Sequence, residues 1–238
     1  VRGIPQVRGG DAPLAFVIDG VTIPDPSLLS QELYDLALVE VVKGPQGAIY
    51  GKNAIGGAIN IYTKDPTNKM ANKVTFGAGN GGYLKGQFVS SGAIAKDKVF
   101  YRFSTQYKTF DGLLTNEFLN KKVDFSEDFN IRGQIKARVS DNFTVSGTFQ
   151  HFNIDGGATY YSVNPTGTDG EFTGGTLNPN PSEGNNVIVA DVLGRSDMKN
   201  NYGNFKMDYN LKGVKLQSIT SFNKVDRSTI GDLDFLEL

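Results

Sequence analysis

Residues 43–64 form a glycine-rich stretch with a Gly51-Lys52 pair, which are the residue types of a loop that cradles a phosphate. That pattern requires four residues between its first glycine and the Gly-Lys pair, followed by a Ser or Thr whose hydroxyl reaches the metal. Here only three residues separate Gly47 from Gly51, and no Ser or Thr follows Lys52. Residues 57–62 also have the pattern of a strand, whereas a phosphate loop opens a helix. The spacing therefore argues against nucleotide binding.

A second glycine pattern, at residues 77–82, satisfies the G-x-G-x-x-G fingerprint of dinucleotide-binding folds, with Asp97 about 20 residues further on. Its flanks, residues 74–76 and 84–88, have the pattern of strands, and no helical pattern follows. The fingerprint is meaningful only between a strand and a helix. These glycines therefore need a structural explanation.

Other chemistry-bearing residues are scarce. The chain has no cysteine and one histidine, His151, so it has neither a thiolate site nor a His-His metal pair. No nucleophile, base and orienting group form a cluster, so we predict no catalytic residue, no metal ligand, no cofactor and no enzymatic activity. His151 is predicted to lie at a strand end on the apolar face, as a packed or interfacial histidine rather than a haem ligand. The formal net charge of -1 argues against a basic nucleic-acid binder.

The clearest physical signal is period-two alternation, which begins after about residue 67. In residues 129–139, apolar side chains fall on one face and strongly polar ones on the other, as in a strand between two different environments. Similar segments predict seven strands in all. Their approximate ranges are 73–79, 83–94, 99–108, 129–139, 143–150, 204–211 and 214–224.

The connections between these segments differ in length. Short turns near residues 95–97, 140–142 and 212–213 alternate with long links at 111–128 and 153–201. We expect all short turns at one end of an up-and-down sheet and all long loops at the other, as in a transmembrane β-barrel. Strands of about 9–11 residues match the tilted span of a bilayer. A soluble β-sandwich is the alternative, although its strands are usually nearer five or six residues.

An ordered set of motifs precedes the strands. They are Val-Arg-Gly-Ile at 1–4, Phe-Val-Ile-Asp-Gly-Val at 16–21, and the stretch from Val39 to Ile61 that contains Gly-Pro-Gln-Gly at 44–47. Together they closely resemble the plug domain of TonB-dependent outer-membrane receptors of the siderophore-receptor type. The resemblance implies a mainly β chain. Residues 1–66 would be a small α/β plug domain, truncated at its N-terminus. Residues 67–238 would be the N-terminal part of an antiparallel transmembrane β-barrel with about seven strands, truncated at its C-terminus.

Local patterns in the plug region predict its turns. Asp19-Gly20 between apolar runs is a hairpin signal, and residues 33–36 are predicted to form a short helix before a strand at 39–42. Gly44 and Pro45 would end that strand. The glycines that follow permit positive φ and close approach of the backbone to a barrel wall.

The resemblance further implies active uptake of a ferric siderophore across the bacterial outer membrane. The expected partners are the iron chelate, outer-membrane lipid and a TonB-type energy-coupling protein whose recognition box would lie upstream of Val1; nucleic acid is not expected. A receptor of the same fold for cobalamin, haem or glycans is the alternative, and a soluble β-sheet binding protein is a further one.

Two sets of site residues follow. Substrate contacts are expected from the plug and from the long 153–201 link, at Gln6, Arg8, Asp11, Tyr160, Tyr161 and Arg195. By resemblance, Arg2 and Lys43 occupy the positions of two plug arginines that pair with barrel carboxylates and latch the plug. Their partners are expected beyond Leu238. Lysine lacks the bidentate fork of arginine, so Lys43 would make the weaker contact.

Overall fold

The computed structural model describes residues 14–23, 28, 32–51, 54–158, 188 and 190–231. These residues form two sheets and a small hairpin. The N-terminal sheet contains β1 (Leu14–Ile18), β2 (Val21–Thr22), β3 (Leu36–Lys43) and β4 (Gly57–Thr63), with the short helix α1 (Gly47–Tyr50) between β3 and β4. The second sheet contains β5 (Ala71–Gly79), β6 (Tyr83–Ala95), β7 (Val99–Phe110), β10 (Ser126–Ser140), β11 (Phe143–Gly157), β12 (Arg195–Leu211) and β13 (Val214–Ile230). The hairpin pairs β8 (Thr115–Asn116) with β9 (Lys121–Lys122).

The N-terminal sheet has the order β2-β1-β4-β3, with β1 parallel to β4 and the other neighbours antiparallel. The predicted hairpin turn is confirmed, since Asp19 and Gly20 link β1 to β2 with φ of 51° and 88°. The predicted strand end is also confirmed, because Gly44 follows β3 with φ of 95°. A core of small side chains lets the chain pack closely; its members are Ala15, Ala54 and Ala58.

The predicted helix at residues 33–36 is wrong. Residues 32–34 have no regular structure, and β3 already begins at Leu36. Asp35 has φ of 59°, a left-handed conformation that does not continue a right-handed helix. A contact made by the Asp35 carboxylate with the second sheet, described below, overrides the local helix preference.

The second sheet has seven antiparallel strands in the order β13-β12-β11-β10-β7-β6-β5 and is not closed. As predicted, its two faces differ. The outer face, directed away from the N-terminal sheet, carries exposed apolar side chains that include Phe76, Leu84, Phe149, Phe205 and Phe222. The inner face carries polar side chains that are buried against the N-terminal residues; they include Arg102, Gln106, Arg132 and Gln134. None of the helices in the described ranges is long and apolar enough to span a membrane.

Several strands are longer than predicted. β10 and β11 have 15 residues each, and β12 and β13 have 17 each. The 153–201 link is correspondingly shorter, because β11 runs to Gly157 and β12 begins at Arg195. Cross-strand contacts extend the ladder there, including the Arg195–Asp155 ion pair. His151 consequently lies within β11 rather than at a strand end, with its Nδ1 2.9 Å from Oδ1 of Asn201.

The expectation that all short turns lie at one end is wrong at one place. Residues 80–82 join β5 to β6 at the end that also carries the long connections 111–125 and 158–194, which we call the loop end. Gly81 and Gly82 each have φ of 67°, which allows the tight reversal. The Gly81 carbonyl accepts a hydrogen bond from the Asp111 amide at 2.8 Å, so this turn is bonded to the neighbouring connection.

Candidate functional site at the interface of the two sheets

A buried carboxylate of the N-terminal part meets two arginines of the second sheet. Asp35 immediately precedes β3, and it accepts hydrogen bonds from Nε of Arg102, at 2.6 Å, and from its Nη2. Nη2 of Arg132 lies 3.5 Å from Oδ2 of Asp35. All three side chains are less than a tenth exposed. One carboxylate therefore faces two buried guanidinium groups, an arrangement that is costly to disrupt because it would leave buried charge uncompensated.

Tyr34 completes this cluster. Its ring lies against Arg132, with the guanidinium carbon 5.7 Å from the ring centroid. Its hydroxyl donates a hydrogen bond to Oδ1 of Asn130 at 3.4 Å. Burial raises the pKa of Tyr34, and the nearby positive charge of Arg132 opposes that effect only in part. Tyr34 is therefore a neutral donor at physiological pH.

Two further ion pairs have the same arrangement, in which a carboxylate of the N-terminal part meets a basic side chain on the inner face of the second sheet. Glu32 pairs with Lys85 and accepts a hydrogen bond from Nε2 of Gln106 at 3.1 Å. Asp65 pairs with Lys136 at 2.6 Å, but its side chain is 74% exposed. The contacts thus range from fully buried at Asp35 to largely solvated at Asp65.

The interface is less closely packed along β10, β11 and β12. A cavity of about 470 Å³ lies there between the two sheets. Polar side chains line it from both sides; they include Asp19 and Thr63 on one side and Gln134, Thr148, Asn204 and Asp208 on the other. Nearer the loop end, Leu28 packs on Phe152 and Met198, and all three are buried. The polar cavity thus lies between two sets of contacts. One is the set of ion pairs on β6, β7 and β10, and the other is this apolar contact.

The structure describes only two of the residues predicted from sequence to form the site. Arg195 begins β12 at the loop end, where it pairs with Asp155 and Asp197 and stays half exposed. Lys43 ends β3, is exposed, and makes no ion pair with any residue in the described ranges. The other predicted site residues lie outside the described residues; they are Arg2, Gln6, Arg8, Asp11, Tyr160 and Tyr161.

The Asp35 cluster was missed by sequence reasoning. A usable signal was present, because the polar faces of the alternating segments carry Arg102 and Arg132, which need counter-charges if that face points inward. The pattern does not say which carboxylate supplies them. Among the described residues, no group of three or more His, Cys, Asp or Glu side chains is arranged to hold a metal ion.

Comparison with known proteins identifies the N-terminal part. Residues 1–58 match the family model of the TonB-dependent receptor plug domain. The chain is 35% identical over 83 residues to the probable TonB-dependent receptor BfrD of Bordetella pertussis, and 32% identical over 80 residues to the catecholate siderophore receptor Fiu of Escherichia coli K12. These alignments cover 35% and 34% of the chain but only 11% and 10% of those receptors.

Solved structures show the same fold for most of the chain. The ferric yersiniabactin uptake receptor FyuA of Yersinia pestis superposes with a TM-score of 0.75 over 91% of the chain and 32% of the receptor, at 18% identity. The ferric-catecholate import receptor Fiu of E. coli K12 gives 0.68 over 93% of the chain and 33% of the receptor, also at 18% identity. The chain thus spans about a third of the length of these receptors.

These findings define the class of fold as a plug domain followed by strands of a receptor-type β-barrel, in a sheet that is not closed. The chain carries a TonB-dependent receptor plug domain in residues 1–58, and its seven-stranded sheet has the fold of the barrel strands of siderophore receptors. TonB-dependent receptors are proteins of the bacterial outer membrane, and this chain is placed there with them. The relatives that match are transport receptors rather than enzymes.

Proposed function

We propose that the chain acts, within a TonB-dependent receptor, in the active uptake of a ferric siderophore. The observation that carries the proposal is the packing of the plug on the polar inner face through the Asp35 cluster, because a plugged barrel admits its substrate only when such contacts change. The substrate class is supported by the names of the relatives, which include receptors for catecholate siderophores and ferric yersiniabactin. A TonB-type protein supplies the energy in this proposal.

The division of the chain into a plug at 1–66 and barrel strands at 67–238 belongs to the same proposal. It is supported by the change of sheet between β4, which ends at Thr63, and β5, which begins at Ala71. Within the barrel, outer-membrane lipid contacts the apolar outer face. The substrate contacts proposed on sequence grounds are Gln6, Arg8, Asp11, Tyr160, Tyr161 and Arg195.

Growth on defined iron sources tests the proposed function. A strain that lacks the receptor gene is starved of iron and supplied separately with ferric catecholates, ferric yersiniabactin, ferripyoverdine or haem. In a separate assay with sufficient iron, its growth is made dependent on added cobalamin. We expect it to lose growth on one ferric siderophore only and to recover when the full-length gene is restored. Loss of growth on haem alone, or of cobalamin-dependent growth alone, would instead support the alternative of a same-fold receptor for another substrate.

The proposed latch at Arg2 and Lys43 requires a separate test. In a full-length receptor that carries this chain, Arg2→Ala and Lys43→Ala are each expected to increase the entry of a large antibiotic through the barrel. Glu117→Ala, a change at an exposed residue of the loop end, serves as the control. Unchanged antibiotic sensitivity and transport in both latch variants would contradict the proposal.

A further inference from the structure

The hairpin β8–β9 is a firmly bonded element of the loop end. It lies in the connection between β7 and β10, where Thr115 and Asn116 pair with Lys122 and Lys121. The carboxylate of Asp124 accepts hydrogen bonds from the backbone amides of the 113–114 segment, at 2.8–3.0 Å. The hairpin therefore has a defined position relative to the strands that carry it.

Asn116 uses its side chain to bind a remote part of the chain. Its side chain is fully buried, at 1% exposure, although the residue lies in a connection between strands. Nδ2 donates a hydrogen bond to the carbonyl of Ala190 at 2.9 Å, across 74 positions of sequence, and Oδ1 accepts one from the amide of Leu119 at 3.1 Å. Both ends of one amide are thus occupied, one within the hairpin and one on the β11–β12 connection.

A backbone contact supports this side-chain contact. The amide of Glu117 donates to the carbonyl of Ile188 at 2.9 Å, and Ile188 is itself buried. At the strand ends, the amide of Gly157 bonds the carbonyl of Phe125 at 2.8 Å, and Ala158 bonds Gly194 at 3.2 Å. The described parts of the two long connections therefore form one bonded unit.

We propose that Asn116 is a positioning residue for capture of the substrate. By holding residues 188 and 190 on the hairpin, it fixes the arm that returns from the long connection to β12. Because this arm is already fixed, less entropy is lost when the substrate binds, and such pre-organisation increases affinity. The inference rests on the proposed function, because it assumes that the loop end captures a ferric siderophore.

The variant Asn116→Asp separates the two roles of the amide. An aspartate keeps the oxygen that accepts from Leu119, but it places a carboxylate against the Ala190 carbonyl in place of a donor. Loss of a buried hydrogen bond of this kind shifts the equilibrium between the held and the released arm by roughly tenfold or more. We expect the Kd for the iron chelate and the half-saturation concentration of uptake to rise by about that factor, with the maximal uptake rate unchanged.

The matched control is Glu117→Ala, because Glu117 is exposed and uses only its backbone amide to bond Ile188. Binding is measured on a full-length receptor with ferric catecholate, ferric yersiniabactin and ferripyoverdine, each labelled with radioactive iron. If the wild-type receptor binds none of them, the proposed function fails. If it binds one and Asn116→Asp binds that chelate with the wild-type Kd, the positioning role is overturned.

A second variant covers the case in which Asn116→Asp does not fold. The backbones of Asn116 and Ile188 lie side by side as an isolated parallel β pair. Cysteines at both positions are therefore near enough to form a disulfide. The oxidised double variant is expected to bind with the wild-type Kd, and the reduced form to bind roughly tenfold more weakly. Equal Kd values in the two states would contradict the inference.

Discussion

Asp35 and Arg102 lie 67 positions apart in the chain, yet the carboxylate of Asp35 accepts hydrogen bonds from Nε and Nη2 of Arg102 across the interface between plug and barrel strands. Bidentate pairs of this kind combine strength with a defined geometry. Because both groups are buried, salt screens them less than an exposed pair. The contact therefore holds the N-terminal end of strand β3 against strand β7.

Loss of the Asp35 charge is expected to loosen the plug. In Asp35→Asn, the buried guanidinium groups of Arg102 and Arg132 lose their counter-charge, at an expected cost of about 3–5 kcal/mol. Asp65→Asn is the matched control, because its pair with Lys136 is largely exposed and is worth less than about 1 kcal/mol. Hydrogen exchange of the β4 amides in a full-length receptor measures the effect of each substitution on the stability of the plug. Equal protection in the two variants would contradict the importance of burial.

Alkaline pH should weaken the plug through Tyr34. Burial raises the pKa of Tyr34, whereas an unfolded tyrosine titrates near pH 10. The unfolded state therefore loses its proton first, so the stability from neutral Tyr34 is complete below about pH 10 and falls as pH rises above it. Tyr34→Phe should remove this part of the decline in unfolding free energy as pH rises above about 10. Parallel pH profiles for wild type and variant would show that Tyr34 does not contribute.

Gly57, the glycine that begins β4, is expected not to tolerate a side chain. It has φ of 142°, and a Cβ there would lie 2.3 Å from the carbonyl oxygen of Val42 on the paired strand β3. Gly57→Ala should therefore lower plug stability by more than about 1 kcal/mol. Gly47→Ala is the control, since a Cβ at Gly47 meets nothing within 4 Å. A similar denaturation midpoint for both variants would contradict this account.

The two faces of β11 should differ in how well they tolerate a charged side chain. Phe149 lies on the apolar outer face, and Thr148 lines the polar cavity on the inner face. An arginine facing lipid near the bilayer midplane costs about 2–4 kcal/mol. Phe149→Arg should therefore reduce the yield of folded receptor in outer membranes, whereas Thr148→Arg should have a smaller effect. Equal yields would argue against lipid contact at Phe149.

The seven strands and their two faces could be predicted because alternation is a local signal, recorded in residues two apart. The strand ends could not, since the Arg195–Asp155 pair that extends β11 and β12 joins residues 40 positions apart. The same reason applies to Asp35. Its left-handed backbone and its buried partners depend on strands that lie much further along the sequence. The end of the sheet at which the turn at 80–82 lies could also be predicted, because consecutive strands of an up-and-down sheet run in opposite directions and this turn precedes the one at 95–97.

The length of β11 has a consequence for the cell surface. Beyond His151 the strand continues through residues 152–157, and at about 3.4 Å per residue this adds roughly 20 Å of rigid backbone. The paired end of β12 contributes Arg195 and Asp197, which are ionic and accessible to water. In a receptor whose apolar face is covered by lipid, these strand ends form a stiff rim outside the bilayer. Such a rim gives the loop end a fixed frame whose shape does not depend on the conformation of the loops.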